Sequence, residues 1–351
     1  MFYGDLKMIN TLIKWVESGY LPDFMVRAGI RQLIKKRLVE EYAEDVEMSS
    51  QRSHDFLEEI KTSALALDTD KANEQHYEVD SDFYQYALGA RKKYSSCYYH
   101  DNETLDQAEE AMLNLYIERG QFVDGQDILE LGCGWGAITL YLATQLPNSK
   151  ITAVSNSHSQ RRYILSEAKA KGLTHVNVIT SDINELSLDK QFDRVISIEM
   201  FEHVRNYQFL FEQISKWLRP EGKLFIHVFC HRFLMYPFIA EGEDNWMAQY
   251  FFSGGQMPAA DTFYHFQEQL SLERRWINSG QHYEKTSNHW LANMDNNKQQ
   301  IMPVFERVYG KDAKLWFQRW RMFFMSCAEL FGYDSGQQWF VAHYLFKKRT
   351  H

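Results

Sequence analysis

Cysteine is scarce and scattered. The only four, Cys97, Cys133, Cys230 and Cys327, form no CxxC pair and follow no regular spacing in a chain of 351 residues. That excludes a disulfide scaffold or a zinc finger, and fits a reduced, intracellular protein. Positive charge is not in surplus either: Lys plus Arg number 38 against 47 Asp plus Glu, a formal charge of −9. Without a basic excess to neutralise phosphates, nucleic acid is not an expected partner. Long hydrophobic runs are missing as well. The most apolar segment, Leu224 to Ala240, is interrupted by His227, His231 and Arg232, so neither a membrane span nor stable membrane insertion is expected. Asp5 and Lys7 break up the first turns, and no small-residue cleavage site follows an apolar core. The expected address is therefore cytoplasmic.

Aromatic residues are what the chain has in abundance: 24 Phe, 20 Tyr and 9 Trp, more than a core of this size obviously requires. No internal repeat or low-complexity tract organises them. Apolar positions at Leu6, Ile9, Ile13 and Val16, then at Met25, Ile30, Leu33 and Leu38, predict two helices broken at Leu21-Pro22-Asp23. Residues 44–73 read as a polar, solvent-exposed helical connection, followed by a Tyr-rich patch, Gln75 to Tyr84 and Lys93 to Tyr99, and an amphipathic helix over Asp106 to Arg119. Five short apolar runs then alternate with periodic helices, beginning at Ile128, Lys150, Val176, Asp193 and Lys223. This βαβ rhythm predicts an α/β fold, a doubly wound and mostly parallel sheet covered on both faces. The rhythm stops after Cys230. Residues 231 to about 305 read as an aromatic insertion over the end of the sheet, followed by a helix from Asp312 to Leu330 and a hairpin from Phe331 to Phe346.

The strongest local signal is Glu130-Leu-Gly132-Cys-Gly134-Trp-Gly136, directly after a strand and before a helix. Glycines there let the backbone turn sharply and let a ligand approach, while the following helix offers unpaired N–H groups. The spacing is G-x-G-x-G rather than the dinucleotide G-x-G-x-x-G, and the second strand ends in Val154-Ser155-Asn156 instead of a ribose-binding acid. NAD is disfavoured. Glu130 together with Asp182 suits a ligand carrying a cationic amine and an adenine amino group, which describes S-adenosylmethionine (SAM). The plainer alternative is that the glycines only form a tight βα turn.

The chain then resembles a known family. Glu199-Met-Phe-Glu202-His203-Val, Phe225 to His231, Trp246, Phe251-Phe252-Ser-Gly-Gly-Gln-Met-Pro, Gly280-Gln-His-Tyr283, Trp290 to Asn297 and Cys327-Ala-Glu329-Leu-Phe-Gly-Tyr are similar to the coclaurine N-methyltransferase group. That group is a branch of the cyclopropane-fatty-acid-synthase superfamily of class I SAM-dependent methyltransferases. The resemblance covers nearly the whole length. It implies a Rossmann-like sheet of seven strands and a division into a helical region (1–105) contributing to the active-site cover, a SAM-binding core (106–230), a substrate-binding cap (231–310) and a C-terminal helix and hairpin completing the core (311–351). It also implies SAM bound, with S-adenosylhomocysteine as product, by Tyr94, Ser95, Glu130, Gly132, Gly134, Gly136, Ser155, Asn156, Gln160, Asp182, Ile183 and Ile198. The acceptor would meet His227, His231, Trp246, Phe252, Tyr283, Cys327 and Glu329. Cyclopropane synthases resemble the chain at Glu202, His227 and Tyr283, positions that hold a bicarbonate. Their Tyr-Ser-Cys segment, however, reads Tyr94-Ser95-Ser96 here, with Cys97 one place late.

The expected reaction is N-methylation of a small hydrophobic amine, aromatic or alkaloid-like. The alternatives are cyclopropane-synthase-like methyl transfer to an unsaturated acyl chain and a non-catalytic SAM-binding protein. An ammonium acceptor must lose its proton before it can attack. Glu199, Glu202 and His203 follow the fourth strand, at the edge where ligands bind in such sheets. A helix starting there would put all three on one face, with the carboxylates raising the proton affinity of His203. The plainer alternative is a capped helix start. His227 and His231 could equally be core histidines. No metal is expected, because no His-x-x-x-His with a third ligand occurs. The expected partner is the small-molecule amine, with a homodimer left open.

Overall fold

The computed structural model describes residues 13–66, 81–239 and 246–349. The expected positions Leu6 and Ile9, and the Gln75 to Asp80 part of the Tyr-rich patch, lie outside them. A helical stretch at 13–17 ends in a turn with Gly19 at a φ of +74°, and Pro22 precedes α1 (Asp23–Glu40), since proline's fixed φ and missing N–H suit a helix start. α2 (Val46–Lys61) is capped by the Asp45 carboxylate, which accepts from the N–H groups of Glu47 and Met48. It is not the solvent-exposed connection expected, because Phe56, Leu57 and Ile60 are buried in the core. α3 (Ser81–Ala87) follows, then α4 (Leu105–Gly120), which starts in a Thr104–Gln107 capping box.

The sheet is built from β1 (Asp127–Leu131), β2 (Lys150–Ser155), β3 (Val176–Thr180), β4 (Phe192–Ile198) and β5 (Leu218–His231), with α5 (Ala137–Gln145), α6 (His158–Ala170) and α7 (Tyr207–Trp217) between them. A small two-stranded sheet of β6 (Tyr236–Pro237) and β7 (Gln256–Met257) brackets α8 (Trp246–Tyr250). β8 (Leu270–Asn278), α9 (Gly280–Asn296), α10 (Lys298–Tyr309), α11 (Ala313–Gly332) and β9 (Trp339–Lys348) complete the chain. The seven-stranded sheet runs β3-β2-β1-β4-β5-β9-β8, parallel except for β9, which pairs antiparallel with β5 and β8. This is the class I methyltransferase arrangement. The strand order reverses between β1 and β4, so the ligand crevice of such a sheet opens at their carboxyl ends.

Two further elements depart from expectation. The stretch from Phe331 is no hairpin: its first residues finish α11, a left-handed turn at Asp334 and Ser335 follows, and β9 is one strand inserted between β5 and β8. β8 lies inside what read as an irregular insertion. Its Glu273-Arg274-Arg275 run and a register shift beside it belong to a sheet edge, where charge and irregularity are common and the apolar alternation fades. The aromatic surplus divides between two clusters, one where α3, α9 and α11 meet, with Phe83, Tyr84, Trp290, Trp320, Phe323 and Phe324 buried, and one around α7, with Phe201, Tyr207, Phe211, Phe263, Phe266 and Tyr344 buried. α1 is tied onto this layer by Arg27 and Arg31 on Glu329, at 3.0 and 2.6 Å, and by Asp23 on Arg321 at 2.8 Å. No helix among the described residues is long and apolar enough to cross a membrane.

Candidate functional site

The turn after β1 folds around its glycines. Gly132, Gly134 and Gly136 have φ of +77°, +50° and +78°, the left-handed region that side chains disfavour. A Cβ on Gly132 would strike Met200 at 2.7 Å and one on Gly136 would strike Ile164 at 2.6 Å, whereas one on Gly134 would stand in open space. Gly132 and Gly134 line a cleft of about 1210 Å³, taken out to its mouth. Every residue expected to hold SAM lines it except Gly136, which instead starts α5 and packs it against α6.

Within the cleft, Glu130 is buried and accepts a hydrogen bond from the Thr139 hydroxyl. Burial pushes its carboxyl up to about 8. Ser155 donates to Oε1 of Gln160 at 2.6 Å, and the buried Gln160 Nε2 has no hydrogen-bond partner among the described residues. Asp182 accepts from the backbone and side-chain amides of Asn184 at 2.7 and 2.8 Å. Lys93 escaped the sequence reading. It is buried at the cleft wall, its ammonium 2.6 Å from Ser95 Oγ and 2.5 Å from the Ser96 carbonyl. A lysine beside a Tyr-Ser segment ordinarily reads as solvent-facing, so nothing in the pattern marked it.

The expected convergence of Glu199, Glu202 and His203 fails in part. No α-helix starts there: Phe201–His203 is a single 3-10 turn, and α7 begins only at Tyr207, capped by Asn206. Glu199 and His203 line the cleft and Glu202 does not. Glu202 is buried, with Oε1 accepting from the Phe229 N–H at 2.7 Å, and burial holds its carboxyl far above the usual range. The proton affinity of His203 is not raised, because desolvation outweighs the pull of Glu199 and lowers its pKa to about 4. Glu199, not Glu202, meets His227 and Tyr283. Its Oε1 accepts from the Ser96 N–H at 2.9 Å and lies 3.0 Å from His227 Nε2, and its Oε2 accepts from the Tyr283 hydroxyl at 2.7 Å. Burial raises the Glu199 pKa, while nearby Lys93 opposes the rise.

Tyr283 also lines a second cavity of about 1220 Å³, walled by Ile30 and Ile34 of α1, by Trp246, Phe252 and Phe331, and by Cys327 on α11. Phe252 stacks on His203 with ring centres 5.8 Å apart. The Glu199–Tyr283 hydrogen bond and the His203–Phe252 stack therefore join the polar cleft to the apolar chamber. Of the expected acceptor residues, Trp246, Phe252, Tyr283 and Cys327 line the chamber, and His227, His231 and Glu329 do not. His227 stands behind Glu199, His231 binds the Phe233 and Leu234 N–H groups, and Glu329 is taken by Arg27 and Arg31. Among the described residues no group of three or more His, Cys, Asp or Glu is arranged to hold a metal ion.

The chain is similar to several known proteins. The family profile of mycolic acid cyclopropane synthetase matches residues 67–339. (S)-Coclaurine N-methyltransferase of Thalictrum flavum subsp. glaucum is 36% identical over 97% of this chain and 96% of its own. Pavine N-methyltransferase of the same plant is 31% identical over 97% of each chain. Among solved structures, a coclaurine N-methyltransferase bound to N-methylheliamine and S-adenosylhomocysteine superposes with a TM-score of 0.93 at 36% identity, covering 96% of this chain and 99% of that one.

Proposed function

The chain belongs to the mycolic acid cyclopropane synthetase family, in its coclaurine N-methyltransferase branch, and on that basis we propose how its two cavities share the work. It is a SAM-dependent N-methyltransferase. SAM occupies the glycine-loop cleft, and a hydrophobic amine occupies the apolar chamber. The relatives' names, coclaurine and pavine N-methyltransferase, extend to this chain as the proposal that the amine is alkaloid-like.

The cleft residues fit the cofactor. Gly134 leaves room where any side chain would project, and Gln160 keeps a buried amide donor to spare. Glu130 would meet the ammonium group, Ser155, Asn156 and Gln160 the ribose and methionine, and Asp182 with Ile183 the adenine. Tyr94 and Ser95 would close one side, with Ile198 at the end of β4. When bound, SAM supplies an electrophilic methyl group. The chain's own part is to hold the amine in line, exclude water and take its proton. Glu199 is the group for the proton. Burial brings its pKa up from the ordinary carboxylate range, and the neutral His203 imidazole stands beside it. Phe252, Trp246 and Tyr283 line the chamber with aromatic rings, which suit the cation that forms on nitrogen.

One observation carries this reading: Glu199, on the wall of the polar cleft, is bonded directly to Tyr283, on the wall of the apolar chamber. Cyclopropanation has less support. Cys97 is buried outside the cleft lining, with Sγ toward the Ser95 carbonyl. A transfer assay with methyl-labelled SAM, run over a panel of aromatic amines and an unsaturated phospholipid, decides the matter. Label is expected in the amines. Label in the lipid alone would overturn the assignment.

A further inference from the structure

Behind Glu199 a line of hydrogen bonds runs through the sheet to the rim of the protein. The antiparallel register of β5 and β9 sets His227 directly opposite His343, and the two rings meet with Nδ1 of His227 2.9 Å from Nε2 of His343. The far nitrogen of His343, Nδ1, lies 2.8 Å from NH1 of Arg119 on α4. Arg119 is half-buried, sits over Trp276, and also donates to Oδ1 of Asn278 at 2.9 Å. Both histidines are fully buried, and burial holds each well below its ordinary pKa, so both rings are neutral.

A guanidinium can only donate, and a neutral imidazole carries one N–H. Arg119 therefore fixes Nδ1 of His343 as an acceptor and places its proton on Nε2. That proton is donated to Nδ1 of His227, whose own proton must then sit on Nε2 and point at Oε1 of Glu199. The Tyr116 hydroxyl also lies 3.0 Å from His227 Nδ1 and shares the single lone pair there with the His343 N–H. Every bond in the line points the same way, from the cation toward the carboxylate, and such aligned bonds strengthen one another.

We infer that Arg119, His343 and His227 form a polarised chain that holds Glu199 as a hydrogen-bond acceptor facing the amine, with Arg119 and His343 as positioning residues for methyl transfer. The chain does not carry the proton away. His227 already bears hydrogen on the nitrogen facing Glu199, and neither ring can reverse while Arg119 donates. The proton taken by Glu199 leaves through the cleft or the chamber. This inference rests on the proposed role of Glu199 as the base.

Other groups also face Glu199 and contribute to its titration. They are Lys93 from the loop before α4, Tyr116 on α4, His203 and Glu202 on its own turn, and Tyr283 on α9. The Cys97 and Cys327 thiols lie near it as well. Of these, Tyr116 also feels the Arg119 charge, so the ring tautomers, which report the direction of the bonds themselves, are read beside any substitution at Arg119.

The test has two arms. In the wild-type enzyme labelled with ¹⁵N-histidine, the ring nitrogens of His227 and His343 are expected to show hydrogen on Nε2 in both. Hydrogen on Nδ1 of His227 would overturn the inference whatever the activity. In the second arm, Arg119→Met removes the donor at a partly exposed site, and kcat is followed against pH with one amine. The acidic limb is expected to move up by about one pH unit, with a roughly tenfold loss of kcat at pH values on that limb. Arg119→Lys, which can still donate to His343, should restore most of it, and SAM affinity by calorimetry should be unchanged in both. An acidic limb at the wild-type position in Arg119→Met, with or without a fall in melting temperature, would overturn the chain. Glu199→Gln separates this from the reading beneath it. Full activity there would remove Glu199 as base, while the ring tautomers would still decide whether the chain is polarised.

Discussion

Glu199 carries the most constrained geometry in the site. It has a φ of +47° on a residue with a full side chain, while its N–H donates to the His227 carbonyl at 2.9 Å. Non-glycine residues hold that conformation where surrounding contacts over-determine them, typically at functional sites. Here the determinants are Ser96, His227 and Tyr283, from three different parts of the chain. Glu199→Gln keeps the shape but replaces one acceptor oxygen with a donor. It should lower kcat by about 10²–10⁴, the usual worth of a positioned base, with SAM affinity by calorimetry unchanged. His203 makes a different forecast. With its pKa lowered to about 4 it stays neutral across the assay range, so His203→Ala should reduce kcat by the same factor at every pH from about 6 to 9. A loss that fades toward high pH would make His203 the titrating base. The sequence reading singled out Glu199, Glu202 and His203 by helical spacing, but the chain turns there as a 3-10 helix, and that rotation sends Glu202 to the Phe229 amide instead. What could not be read was the pairing of Glu199 with Tyr283, because residues 84 apart in sequence leave no local pattern when they meet.

At the scale of elements, the glycine loop separates binding from folding. Gly134→Val should abolish measurable SAM binding by calorimetry, because a branched side chain on this left-handed residue of the cleft lining would distort the loop against which the ligand lies. Gly136→Val should instead lower the melting temperature, because its side chain would be driven into Ile164 between α5 and α6. If both variants lost stability equally and still bound SAM, the placement of the ligand would be wrong. β1, β2, β4 and β5 were legible because strands buried on both faces read as continuous apolar runs, the glycine turn follows the first of them, and β3, at the sheet edge, kept Val176, Val178 and Ile179. β8 was hidden by its Glu-Arg-Arg edge character. α1 was legible as a helix from its periodicity and Pro22, but its placement was not. It reaches Glu329 and Arg321 some 300 residues on and gives Ile30, Leu33 and Ile34 to the chamber wall. Deleting residues 1–45 should therefore raise the KM for the amine, or cost solubility, while SAM still binds. A truncated enzyme with wild-type KM would make α1 an appendage.

For the molecule as a whole, its buried ionisable groups set opposing pH trends. His203 and His282 are lowered to about 4 and His231 to about 3, all chiefly by burial, from an ordinary 6.5. Burial likewise holds His227 and His343 well below that value. Below 6.5 the unfolded chain takes up protons that the folded one refuses, so these five groups remove stability as pH falls toward 4. Burial pushes Glu130 up to about 8 and Glu109 up to about 7, from 4.5. Their sign is opposite: the folded state holds protons that the unfolded state has lost, so their contribution is complete below 4.5 and disappears as pH rises through 7 and 8. The ligand-free enzyme should accordingly melt highest at about pH 5 to 6.5 and lose stability on both sides. SAM should change the alkaline side selectively. If the carboxylate of Glu130 meets the ammonium group, binding below about pH 8 must expel a proton, so the melting-temperature increment at fixed SAM should grow as pH rises from about 6 to 8. Calorimetry near neutrality in buffers of different ionisation enthalpy would register the released proton directly. An increment independent of pH, with no proton released, would place the ammonium group away from Glu130 and leave that carboxyl to Thr139 alone.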